Sequence, residues 1–123
     1  MKTILLVEDE FGIAGVLTML LEDEGYRVFA AANGKQALER LAEVRPDLVV
    51  SDFMMPLMDG AALGAAMRAD PACKDIPLVM MSAVPEAALR QRFDGYTAFL
   101  RKPFRTEALI DLAARLLDDD ARG

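Results

Sequence analysis

The sequence predicts an α/β fold in which five parallel strands alternate with five helices, and the helices cover both faces of one sheet. Three observations carry this reading. Short apolar runs recur at Thr3–Val7, Arg27–Ala31, Leu48–Ser51, Leu78–Ser82 and Ala98–Arg101, and segments with helical spacing of apolar residues separate them. Such βα alternation, closed by right-handed crossovers, generates a doubly wound sheet. The 123 residues, 54% of them apolar, suffice for one domain spanning 1–123 with a real core.

Each element has its own signal. Thr3–Val7 is nearly continuous in apolar character, as expected of a parallel strand buried on both faces. Ile13, Val16, Leu17 and Leu20 recur at i, i+3, i+4 and i+7, which predicts a helix that Gly25 stops. After the strand Arg27–Ala31, Asn33-Gly34 opens a second helix marked by Ala37, Leu38 and Leu41 and closed before Pro46. The strand Leu48–Ser51 is followed by the Asp59-Gly60 turn and a helix of small residues, Ala61–Ala69. Leu78–Ser82 leads to a short helix, Pro85–Arg92, with proline at a first-turn position that tolerates it. Ala98–Arg101 precedes a fifth helix carrying Leu109, Leu112, Ala113 and Leu116. Three acids at 118–120 oppose its dipole, so fraying is expected there, with 119–123 as a tail. Met19, Met67, Met80 and Met81 read as core filler.

Composition removes several function classes. Net charge is −6 and the 14 basic residues are scattered, whereas binding to a phosphate backbone needs them clustered, so no direct nucleic-acid partner is expected. The chain has no histidine, so any metal would be held by oxygen, which favours Mg²⁺ or Mn²⁺ over Zn²⁺. Cys73 is the only cysteine, so an internal disulfide is impossible and a reducing cytoplasm is expected. No signal peptide opens the sequence, and no apolar stretch approaches the ~18 residues of a membrane span. Neither a P-loop nor a glycine-rich dinucleotide turn is present, since Phe11-Gly12-Ile13-Ala14-Gly15 has the wrong spacing.

Four of the strands end in reactive side chains: Glu8-Asp9 after the first, Asp52 after the third, Ser82 after the fourth and Lys102-Pro103 after the fifth. A strand order of 2-1-3-4-5 sets strands 1 and 3 together at the switch point, and ligands bind at the carboxyl ends of strands there. Singly, each residue has a plain explanation: acids before a helix, turn punctuation, a helix cap, a solvated lysine. Jointly they do not. Carboxylates a few ångströms apart repel by ~4 kcal/mol per pair at an effective dielectric near 20, so a divalent cation or Lys102 is needed to offset them.

The stretches Leu5-Leu6-Val7-Glu8-Asp9-Glu10, Asn33-Gly34, Pro46 through Gly60, Ser82-Ala83 and Leu100-Arg101-Lys102-Pro103-Phe104 together resemble the receiver domains of two-component response regulators, from Lys2 to about Leu117. The resemblance implies a flavodoxin-like fold of order 2-1-3-4-5 and a stand-alone switch like the chemotaxis regulators. Asp52 would accept a phosphoryl group from a histidine kinase or a phosphotransfer protein, and the switch would act on a downstream protein. It implies further that Glu8, Asp9, Asp52 and the backbone carbonyl of Met54 hold Mg²⁺. Lys102 and Ser82 would contact the phosphoryl oxygens, Ser82 and Phe99 would form the switch pair, and Lys102-Pro103 would be a cis peptide. The only catalysis implied is transfer to the chain's own Asp52 and its reversal by hydrolysis. The alternative is a degenerate receiver that binds partners without phosphorylation. Two departures fall on the output side: the Ser82-to-Lys102 interval is slightly short, and Tyr96 stands where a small residue is usual.

Overall fold

The structure, a computed structural model, describes the backbone of residues 1–122 and the side chains of residues 1–117. The elements follow in the order β1 (Thr3–Val7), α1 (Phe11–Asp23), β2 (Arg27–Ala31), α2 (Gly34–Val44), β3 (Leu48–Asp52), α3 (Gly60–Ala69), β4 (Leu78–Ser82), α4 (Glu86–Arg92), β5 (Ala98–Arg101) and α5 (Thr106–Arg122). The five strands form one parallel sheet in the order β2-β1-β3-β4-β5. β3 takes in Asp52, one residue beyond the expected strand, and α4 starts at Glu86 with Pro85 at its cap. The fray expected at 118–120 and the tail at 119–123 fall on side chains, and on Gly123, outside the described residues. Among the described residues, no helix is long and apolar enough to cross a membrane.

The central strands separate two apolar layers, because successive side chains of a strand point to opposite faces. Ile4, Leu6, Leu48, Val50, Val79 and Met81 face α1 and α5, where they meet Leu17, Leu21, Leu109 and Leu112. Leu5, Val7, Val49, Leu78 and Met80 face the other way, toward Ala37, Leu41, Leu63, Met67 and Leu89. β3 and β4 are buried at every position, whereas the edge strand β2 is buried only at Ala31. The register aligns Leu6 with Val50 and Val50 with Val79, so the strand ends carrying Glu8, Asp52 and Ser82 finish side by side.

Two helix ends match their sequence signals closely. Asn33 caps α2 by accepting from the Gln36 amide, and Asp59 caps α3 by accepting from Ala62. Gly60 allows a close approach: a Cβ there would lie 2.3 Å from the Asp52 carbonyl oxygen, so only glycine lets α3 begin against the end of β3.

Helix α1 departs from expectation. Its buried residues are Leu17 and Leu21, while Val16 is 53% exposed and Ile13 is exposed too. Met19, expected in the core, is 62% exposed, whereas Met67, Met80 and Met81 are fully buried. The physical reason is that α1 is apolar around most of its circumference, so periodicity alone does not select which stripe meets the sheet. We therefore expect Leu17→Ala to cost about 2–4 kcal/mol in denaturant unfolding, and Val16→Ala less than ~1 kcal/mol. Equal costs would mean that the buried stripe has been misplaced.

Candidate functional site

The site is built on backbone rungs that continue the sheet past its strands. The Glu8 amide donates to the Ala31 carbonyl (3.0 Å), Phe53 to Met81 (2.8 Å) and Lys102 to Ser82 (2.8 Å). Each rung fixes the chain direction at the point where a functional side chain leaves the sheet. The Lys102–Pro103 peptide bond is cis.

Lys102 reaches back across the strand ends. Its Nζ lies 2.7 Å from Asp52 Oδ1 and 3.2 Å from Glu8 Oε1. The other oxygen of Glu8, Oε2, accepts from the Glu10 amide at 3.1 Å. Glu8 and Asp52 are buried, whereas Asp9 is exposed at the rim. One ligand oxygen from each of Glu8, Asp9 and Asp52 lies within 4.8 Å of the others. Three ionised carboxylates against one ammonium leave two negative charges, the amount one divalent cation neutralises. The all-oxygen donor set suits Mg²⁺ or Mn²⁺.

The electrostatics reflect this imbalance. Burial, reinforced by the neighbouring Glu8 carboxylate and opposed by Lys102, pushes the Asp52 carboxyl up to about 7. Burial also acts to raise Glu8, but its hydrogen bonds with Asp52 and the Glu10 amide, together with the Lys102 charge, outweigh it and hold Glu8 low. For Lys102, burial alone would favour the neutral amine, yet the two carboxylates keep it charged. Without a cation, Asp52 is therefore the buried acid of the pair that takes up a proton first as pH falls.

The structure brings together Glu8, Asp9, Asp52 and Lys102 and sets Ser82, itself buried, on the adjacent strand end. Ser82 does not cap α4. Its Oγ accepts from the Val84 amide (3.0 Å) and donates to the Val84 carbonyl (3.2 Å), closing a local turn. Met54 directly follows Phe53, whose amide rung ends β3, and Met54 itself is exposed. Phe99 lies partly buried on β5.

Two arginines near the site carried no sequence signal. Arg101 Nε donates to the Ala83 carbonyl at 3.0 Å, holding the loop after β4. Arg92 pairs with Asp59 at 2.9 Å and stands over the Phe53 ring, with 5.7 Å to its centroid. The Arg92 contacts depend on where the short helix docks, and the Arg101 contact on the pairing of β4 with β5, neither of which a local pattern encodes. The link between Lys102 and Glu8, which spans 94 residues, matches the offset of clustered carboxylates expected from the strand order.

A parallel 2-1-3-4-5 sheet with an acidic pocket and a bridging lysine at its carboxyl edge defines a class of signalling switch, and comparison with known proteins agrees. The description "Response regulator receiver domain" matches residues 4–114. The chain is 34% identical over 118 residues to sporulation initiation phosphotransferase F of Bacillus subtilis, with 94% of each chain covered. It is also 34% identical over 122 residues to the DNA-binding response regulator MtrA of Mycobacterium tuberculosis, covering 97% of this chain but 52% of that one. The chain thus spans about half the length of the MtrA relatives it matches. A solved signal receiver domain of a signal transduction histidine kinase from Syntrophus aciditrophicus superposes with a TM-score of 0.92 at 32% identity, covering 100% of this chain and 95% of that one. The chain belongs to the response regulator receiver family. Receiver domains are signalling switches rather than turnover enzymes, and the complete acidic and lysine set does not favour a degenerate member.

A testable consequence follows from Asp52. Its folded pKa lies above its unfolded one, so between pH 4 and 7 the folded chain holds a proton that the unfolded chain has lost, and this group's contribution to stability falls as pH rises. Glu8, held low, works in the opposite sense: its contribution is present above its unfolded value and is lost as pH falls through the folded one. In cation-free buffer, Asp52→Asn is expected to raise Tm by about 5 °C at pH 8, with a smaller gain at pH 5. A drop in Tm at pH 8 would show that the Lys102 pair outweighs the carboxylate repulsion.

Proposed function

We propose that the chain works as a single receiver domain whose Asp52 carboxylate accepts a phosphoryl group from a histidine kinase or phosphotransfer protein. The observation that carries this reading is Lys102 Nζ, 2.7 Å from Asp52 Oδ1 and in reach of Glu8, at the open edge of the sheet. An ionised carboxylate is a competent nucleophile and needs no general base, which suits a site built without histidine. The Asp52 oxygen forms the new bond to phosphorus, while the bond from phosphorus to the donor's nitrogen or oxygen breaks and its electron pair leaves with the donor.

Glu8, Asp9, Asp52 and the Met54 carbonyl would hold Mg²⁺, with Mn²⁺ as a substitute. When bound, the ion supplies positive charge for the phosphoryl oxygens and keeps Asp52 ionised. Lys102 would add a second positive charge, and positioned charge of this kind is most of what phosphoryl transfer asks of a protein. The Ser82 hydroxyl would donate to a phosphoryl oxygen once it leaves Val84. Phe99 has no hydroxyl and so answers by packing alone. The chain's own chemistry is limited to acquiring and hydrolysing this aspartyl phosphate. Its output is altered contact with another protein in the cytoplasm, rather than contact with nucleic acid or a membrane.

Incubation with acetyl phosphate and Mg²⁺, read by intact-protein mass, is expected to add one phosphoryl group to the wild type and none to Asp52→Asn. Chelating the cation is expected to slow the gain by about 100-fold or more, a loss of about 3 kcal/mol of transition-state stabilisation. A gain that persists in Asp52→Asn would move the acceptor elsewhere.

A further inference from the structure

Tyr96, two residues ahead of β5, ties α4 to the chain entering that edge strand. Its hydroxyl donates to Glu86 Oε2 at 2.6 Å. Arg90 donates through Nη2 to the same carboxylate oxygen at 3.0 Å and through Nε to the Tyr96 hydroxyl at 3.3 Å. The Tyr96 ring sits between those of Phe93 and Phe99, with centroids 6.4 and 6.3 Å away and both pairs tilted. Glu86 opens α4, a helix of only seven residues, so this triad grips the helix at the end nearest the site.

The segment between Ser82 and Glu86 is held at two places, once from β5 and once from the residues just ahead of it. Arg101 donates to the Ala83 carbonyl and Tyr96 donates to Glu86. Within it, the single hydroxyl hydrogen of Ser82 is spent on the Val84 carbonyl. For Ser82 to donate instead to an oxygen on Asp52, that hydrogen must leave Val84 and the segment must shift toward the strand ends. Such a shift pulls on its anchors. The far end of α4 is pinned separately: the Phe93 ring lies so close to Gly64 and Gly95 that a Cβ at either would approach it within 3 Å, and Arg92 pairs with Asp59. The helix therefore has little freedom to follow the segment as a rigid body.

We propose that Tyr96 is a positioning residue whose hydrogen bond to Glu86, braced by Arg90, holds the Ser82 segment in its resting arrangement and so lowers the chain's affinity for a phosphoryl group at Asp52. The proposal rests on the reading of Asp52 as the acceptor. Tyr96 acts through Glu86 and the segment, at a distance from the reacting atoms. A contact present only in the resting state opposes binding by the fraction of molecules it keeps there. Because Phe99 lacks a hydroxyl, the polar contribution to this balance comes from Tyr96, one ring away.

The test uses beryllofluoride with Mg²⁺ as the phosphoryl mimic, titrated by calorimetry into the wild type, Tyr96→Phe, Glu86→Gln and Asp52→Asn. Tyr96→Phe keeps the ring stack and removes only the hydroxyl, and Glu86→Gln weakens the same hydrogen bond from the other side. Both are expected to bind the mimic about three- to tenfold more tightly than the wild type. In both, without ligand, the amide resonances of Ser82 and Ala83 are expected to move along the line joining the free and bound wild-type positions. Affinity that is unchanged or weaker in both variants, with those resonances in place, overturns the latch while leaving the acceptor reading standing. If one variant does not fold, the other decides by the same criterion. Wild-type binding that is absent, or that survives in Asp52→Asn, overturns the acceptor reading, and the latch with it.

Discussion

The contact of Lys102 with both Glu8 and Asp52 holds together a group of charges that would otherwise be driven apart. Two of the carboxylates are buried and a third stands at the rim, and among the described residues the cation in contact with them is a lysine that follows the last strand. At an effective dielectric near 20, each carboxylate pair costs ~4 kcal/mol, comparable to what one ammonium at similar range returns. The site is thus balanced for one pair and unbalanced for three acids. Burial, reinforced by the residual negative charge of Glu8, raises the Asp52 carboxyl, and the same residual charge fits a divalent cation.

That arrangement depends on the sheet in a specific way. The residues that meet at Lys102 are 94 and 50 positions from it in sequence, and only the parallel order β1-β3-β4-β5 brings their strand ends to one edge. The alternating apolar faces of β1, β3 and β4 bury the sheet on both sides and make its register rigid, since a one-residue slip would exchange the two cores. A rigid register keeps the rungs from Glu8, Phe53 and Lys102 in place, and with them the spacing of the carboxylates. The segment after Ser82 lies outside this frame, held by the Arg101 and Tyr96 side chains rather than by strand rungs.

The strand runs were legible because parallel strands buried on both faces have a distinctive continuous apolar character. The strand-end residues were legible because they interrupt those runs with charge. Helix α1 was legible as a helix but not in its orientation: with Ile13, Val16, Met19 and Leu21 distributed around it, the choice of buried stripe is made by the sheet and α5 rather than by the pattern. The contacts of Arg92, Arg101 and Tyr96 were not legible at all. Each is a long side chain reaching an element placed by tertiary packing, and nothing within a few residues of it specifies the partner. Tyr96 stood out only as a large residue where a small one is usual. The structure supplies what that size accommodates, a hydroxyl aimed at Glu86.

The central claim is that Asp52 sits in a pocket whose negative charge exceeds what Lys102 can balance. It is tested most directly by following the Asp52 side-chain carboxyl carbon by NMR through a pH titration, first without divalent cation and then with saturating Mg²⁺. A midpoint near 7 is expected without the cation, and a fall of more than about two units with it. A midpoint near the ordinary aspartate value of ~4 under both conditions would contradict it, and would mean that Lys102 alone suffices to balance the site.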